Sequence, residues 1–203
     1  KMTDLTLDDA AERWGKSPKP SLKVIPLRPE TQSKKGAVNQ LLQHIKPIDL
    51  VEICRELGWE GADKAYPKQK HFKVAIIHKL IDAARRKNLH IIHDAGFFYI
   101  FDGAKWVSLV DAEVKNMLKE AAVLMGYAEI ESRDAAFVDK LFQQAEHDGF
   151  FAERDYRKQS IINLQNGSLV LDANGVTIKP FDHRDFVTHQ LDFAFNPAAK
   201  NQI

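Results

Sequence analysis

In "LHIIHDAGFFYIFDGAKWVSL", residues 89–109, the spacing of apolar side chains changes from a helical period to an alternation of two. Isoleucine, phenylalanine, tyrosine and tryptophan suit a pleated, half-buried surface. Asp102-Gly103 is a dipeptide preferred by two-residue type I′ hairpins. A strand and then a β-hairpin turning at Asp102-Gly103 are therefore expected here.

The sequence upstream reads as helix. Val38, Leu41, Leu42 and Ile45 share one helical face, and Pro47 is placed to open a second helix carrying Leu50, Val51, Cys54 and Leu57, which Gly58 ends. A third helix from about Phe72 to Lys87 turns Ile77, Leu80, Ile81 and Ala84 inward, and its other face reads as basic. Downstream, two amphipathic helices are expected over 111–125 and 134–147. Short strands then follow at Ile161–Leu164, Ser168–Asp172 and Val176–Lys179, joined through Asn166-Gly167 and Asn174-Gly175. A last run, "FVTHQLDFAF", alternates Val187, His189, Leu191, Phe193 and Phe195 with polar or small residues.

Helical and β blocks are segregated, which predicts an α+β fold: a helical N-terminal part, a β-hairpin, two helices and a small antiparallel sheet. Three regions are expected. Residues 1–36 form a short helix capped by Thr6 and a basic linker, with four prolines and six basic residues against one acidic residue between 15 and 36. Residues 37–90 form a helical basic subdomain, and residues 91–203 an α+β domain.

The 203 residues, 44% of them hydrophobic, are enough to bury a real core. Lys and Arg number 29 against 28 Asp and Glu, so any attraction to nucleic acid must come from local charge and not from the net charge of +1. The single cysteine, Cys54, excludes an internal disulfide and fits a reducing compartment. No apolar run is long enough for a membrane span or a secretory signal, so a cytoplasmic location without membrane contact is expected. The ends, Lys1-Met2 and Asn201-Gln202-Ile203, read as those of a piece cut from a longer chain.

Catalytic motifs are absent from the sequence. There is no GxxxxGK[ST] loop, and the nearest thing to a carboxylate pair for divalent ions, "DHRD" at 182–185, reads as turn capping. His90 and His93 in "HIIHD" point to opposite faces of a strand, and His71 and His78, seven apart on roughly one helical face, are expected to have no carboxylate partner nearby. No catalytic residue, metal or cofactor is expected. The charge cluster "KQKHFKVAIIHKLIDAARRK", residues 68–87, is the strongest signal: Lys68, Lys70, Lys73, Lys79, Arg85, Arg86 and Lys87 against one aspartate. Such a cluster favours binding when several phosphates are contacted together, through release of condensed counterions.

From about residue 93 to 199 the chain resembles a known region. "FFYIFDGAKWVSL", "VKNMLKEAAVLMGY", "INLQNGSLVLDANGVTIKPF" and "FVTHQLDFAFNPAA" follow one another as in the N-terminal homology region of phage, plasmid and poxvirus-type primase-helicases, which precedes a superfamily 3 ATPase. The resemblance implies a parent with a ring-forming ATPase beyond Ile203, and none of that parent's catalytic motifs is in this sequence. The expected function is therefore a non-catalytic accessory region in DNA replication that binds DNA, with the seven basic residues as contacts, or helps a helicase ring assemble. Self-association and contact with other replication proteins belong to the same expectation. The alternative is a purely structural oligomerisation module without DNA affinity.

Overall fold

Helix α1, Lys34–Gln43, puts Ala37 and Leu41 at one-turn spacing, and both are fully buried. The structure, a computed structural model, describes residues 34–61, 65–149, 160–173 and 175–197. The helix expected after Thr6, the basic stretch up to 33 and Asn174 lie outside the described residues. Helix α2, Leu50–Glu56, starts later than the Pro47 reading had it. The Asp49 Oδ1 accepts from the amides of Val51 (2.9 Å) and Glu52 (3.2 Å), which a proline ring cannot do. Helix α3, Gln69–Arg86, buries Phe72, Ala75, Ile76, Ile77, Leu80 and Ala84.

Strands β1, Ile91–Asp94, β2, Phe97–Phe101, and β3, Trp106–Leu109, form an antiparallel sheet in that order. The expected two-residue turn at Asp102-Gly103 is not made there. Phe101 pairs with Trp106, so residues 102–105 form a four-residue loop, and the buried Asp102 closes it by accepting from the amides of Ala104 (2.8 Å) and Lys105 (3.0 Å). The two-residue turn is instead Ala95-Gly96, between β1 and β2, with φ of +49° and +81° as a type I′ turn requires.

Alternation along these strands separates two cores. Ile91, Phe98, Ile100 and Leu109 join the helical core, which also takes in helix α4, Asp111–Leu124, and helix α6, Ala135–Asp148, through Val114, Met117, Leu118, Ala121, Phe137, Leu141 and Ala145. The short helix α5, Glu129–Ser132, bridges α4 and α6. Residues of the opposite parity, Ile92, Phe101 and Trp106, form a second cluster with Tyr99, Phe181 and Phe186. The sheet thus lies between the helices and the C-terminal part of the chain.

That C-terminal part contains a second antiparallel sheet, β4, Ser160–Leu164, β5, Gly167–Asp172, and β6, Gly175–Lys179. Its register differs by one residue from the Asn-Gly reading: Leu164 pairs with Gly167 and Asp172 with Gly175, so each glycine is a paired strand position. A Cβ on Gly167 would lie 2.7 Å from the Lys179 carbonyl. The segment expected as a closing strand makes an isolated parallel bridge, Asn163 to Gln190, instead of a regular strand. Its backbone still follows β4, with Leu191 N–H donating to Asn163 O (2.8 Å) and Gln165 N–H to Phe193 O (3.0 Å).

Polar contacts join the apolar cluster of Ile92, Phe101, Trp106, Phe181 and Phe186 in holding the first sheet to the C-terminal part. Leu164 and Val170 are the apolar side chains fully buried from the second sheet among the described residues, worth about 1.5–3 kcal/mol each. Beside them, buried Asn163 donates to Ala104 O (2.7 Å) and accepts from Ser168 Oγ (2.7 Å), while Trp106 donates from its backbone to Val187 O (2.8 Å) and from Nε1 to His183 O (2.8 Å). Three of these four bonds cross from the first sheet and its loop to the C-terminal part, at about 1 kcal/mol each.

Candidate nucleic-acid interface

The eighteen residues of α3 span about 27 Å, so the seven expected contact residues cannot all reach one phosphate group. The helix does not present one basic face. Its outward stripe consists of His71, Val74, His78, Asp82 and Arg85, and His78 faces Asp82 at 3.7 Å. Lys68 and Lys70 are exposed at the N-terminal end, where the Lys68 amide donates to His71 Nδ1 (3.0 Å). Lys73 is half-buried, and desolvation, with Lys140 nearby, lowers its pKa. Lys79 is half-buried and paired with Glu56 at 3.0 Å. Arg85, Arg86 and Lys87 are exposed at the C-terminal end.

Three of these residues, Lys79, Arg86 and Lys87, are brought together with two that the sequence reading did not select. His44 and Lys46, from the loop after α1, face them across a cleft of about 360 Å³ floored by Ile45, Ile48, Ala83 and Met125. Among the described residues no carboxylate pairs with Lys46, Arg86 or Lys87. The C-terminal ends of α1 and α3 both approach this place, and each brings about half a negative charge. Glu56 adds one more beside Lys79. Against four Lys and Arg side chains, about two positive charges remain uncompensated. The sequence signal for His44 and Lys46 is their position just past a helix end, which by itself does not tell which neighbour they will face.

The other titratable groups singled out by sequence are occupied within the fold. Asp182 accepts from the Arg184 backbone amide (2.9 Å) and from its guanidinium (2.6 to 3.1 Å), which holds its carboxyl well below the usual carboxylate range. Asp185 pairs with Lys179 at 2.7 Å. His90 does not meet His93. It stacks on His183, with ring centres 3.6 Å apart, and burial, with the charges of His183 and Arg85, lowers its pKa to about 4. His93 lies 3.9 Å from Glu146. Burial raises the pKa of the Cys54 thiol. Among the described residues no three His, Cys, Asp or Glu side chains are grouped so as to hold a metal ion, and no helix is long and apolar enough to cross a membrane.

No curated protein and no solved structure matches the chain. One family model, described as D5 N terminal like, matches residues 74–203, well over half of the chain and everything after the first turn and a half of α3. The chain therefore belongs to the D5 N-terminal-like family, the N-terminal domain of phage, plasmid and poxvirus D5-type primase-helicases.

Proposed function

We propose that this primase-helicase N-terminal region is a non-catalytic accessory part of a mobile-element replication protein, working in the cytoplasm and binding DNA through the basic cleft and the two ends of α3. The observation that supports this most is the gathering of Lys46, Arg86 and Lys87 around one cleft without carboxylate partners among the described residues. Lys79 lines the same cleft, while Lys68, Lys70, Lys73 and Arg85 would extend the contact along the helix. Phosphate contacts of this kind make affinity fall steeply with salt, by close to one unit of log K per unit of log salt for each phosphate neutralised. Fluorescence anisotropy of labelled single-stranded and duplex DNA with the full chain tests this. Binding should weaken with added salt, and Arg86→Glu with Lys87→Glu should weaken it more than tenfold and flatten the salt slope. Absence of binding at low salt, or indifference to both charge reversals, overturns the reading.

A second reading, a structural module that joins neighbouring subunits or other replication proteins, is favoured by Val176, Leu191 and Phe193, which stay exposed around the C-terminal sheet. Sedimentation separates the two. A monomer that binds DNA supports the first reading, and a dimer or ring without DNA affinity supports the second.

A further inference from the structure

A second cleft adjoins the basic one and has the opposite character. Its volume is about 410 Å³, and Ile48, Asp49, Tyr66, Phe72, Tyr127 and Glu131 form its walls. Ile48 lines both clefts, and its amide donates to the Met125 carbonyl at 3.2 Å. Met125 lines the basic cleft, and the next two residues, Gly126 and Tyr127, line the aromatic one. One hydrogen-bonded wall therefore separates the two spaces.

The aromatic rings of this cleft continue into the core as a ladder ending at Phe137. Tyr66 packs on Phe72 (5.5 Å), Phe72 on Tyr127 (5.7 Å), and Tyr127 stacks on Phe137 (4.7 Å, 9° between planes). Tyr127 is buried, and its pKa is pushed up to about 12 by that burial with Glu131 beside it. Tyr66, by contrast, is 73% exposed although Phe72 holds it in place. A positioned ring with an open face is what a flat, apolar ligand can stack on.

The charges say which part of a ligand goes where. Asp49 and Glu131 disfavour phosphate in the aromatic cleft, whereas carboxylate oxygens are acceptors for the exocyclic amino groups of nucleobases. The neighbouring cleft has the reverse preference. Resting on the DNA-binding reading above, we propose that the aromatic cleft takes an unpaired base of a single DNA strand, stacked on Tyr66, while the adjoining phosphates of that strand lie in the basic cleft. Bases within a duplex are stacked and paired, so this half of the site distinguishes single-stranded from duplex DNA.

Tyr66→Ala, at an exposed ring whose loss should leave the core intact, tests the proposal. In anisotropy titrations of the full chain, Tyr66→Ala should weaken binding of a single-stranded oligonucleotide about tenfold and leave duplex affinity unchanged, while Tyr66→Phe should retain affinity within about twofold. A strand carrying abasic sites should bind the native protein as weakly as the normal strand binds Tyr66→Ala. Single-strand affinity unchanged by Tyr66→Ala, with salt-dependent DNA binding intact, overturns the base site and leaves the basic cleft standing. An equal loss for single strand and duplex overturns it as well. If neither form of DNA binds at low salt, both readings fall together.

Discussion

Ala95 holds φ at +49° in the Ala95-Gly96 turn, a left-handed conformation that costs an ordinary L-residue about 1–2 kcal/mol. Its side chain is exposed, and asparagine is the residue that type I′ turns favour at this place. Ala95→Asn should therefore stabilise the protein by about 0.5–1 kcal/mol, read as a higher urea midpoint at unchanged slope. An unchanged or lower midpoint would show that the turn is not under that strain. Gly167 presents the opposite case. A Cβ there meets the Lys179 carbonyl at 2.7 Å and the Ile178 side chain at 3.0 Å, so Gly167→Ala should cost about 2 kcal/mol or more. A loss under 0.5 kcal/mol in the same assay would mean that β6 moves aside freely.

At the scale of elements, Asn166 shows how a turn residue can hold a segment several residues away. Its Nδ2 donates to Phe195 O (3.0 Å) and its Oδ1 accepts from Phe195 N–H (2.9 Å), copying a strand pairing with one side chain. Asn166→Ala should release residues 190–197 from β4 at a cost of about 1–2 kcal/mol. Faster amide exchange confined to Gln165, Leu191 and Phe195 is the readout, and uniform exchange across the second sheet would argue against a local clamp. The helices, the α+β class and the order of the blocks were legible in the sequence because apolar period is a local property: Leu41, Leu80, Met117 and Leu141 all lie inward as their spacing implies. Turn positions were less legible. Asp102-Gly103 and Asn166-Gly167 have the composition of two-residue hairpins, but Asp102 closes a four-residue loop through the nearby amides of Ala104 and Lys105, and the Asn166 side chain is used for hydrogen bonds to Phe195 that the local sequence does not specify. The cleft was only half legible for a similar reason. Lys79, Arg86 and Lys87 stand in an evident basic run, whereas His44 and Lys46 reach the same place only through the packing of α1 against the rest of the core.

Across the whole molecule, the C-terminal layer is attached to the first sheet where His90 stacks on His183, and this attachment should respond to pH. The groups facing His90 are His183, Arg85, Asp182 and the Asn88 side-chain oxygen at 3.2 Å. Burial, with His183 and Arg85 beside it, lowers its pKa from 6.5 to about 4, outweighing Asp182, and burial lowers the pKa of His183 as well. The unfolded chain therefore binds more protons than the folded one between about pH 4 and 6.5. The stability from neutral, stacked imidazoles is fully present above pH 6.5 and is lost as the pH falls through that window. Because His90 is partly open to solvent, the loss by pH 4.5 is about 1–2 kcal/mol, less than its full shift implies. Asp182 acts in a lower window: its pKa is depressed from 3.8, so its contribution persists until the pH drops below that value. Urea midpoints measured from pH 7.5 to 4.5 should fall in the wild type and stay level in a His90→Gln, His183→Gln double variant. A wild type that is flat across the range, or a double variant that keeps the slope, would show that the stacked pair does not link the C-terminal layer to pH.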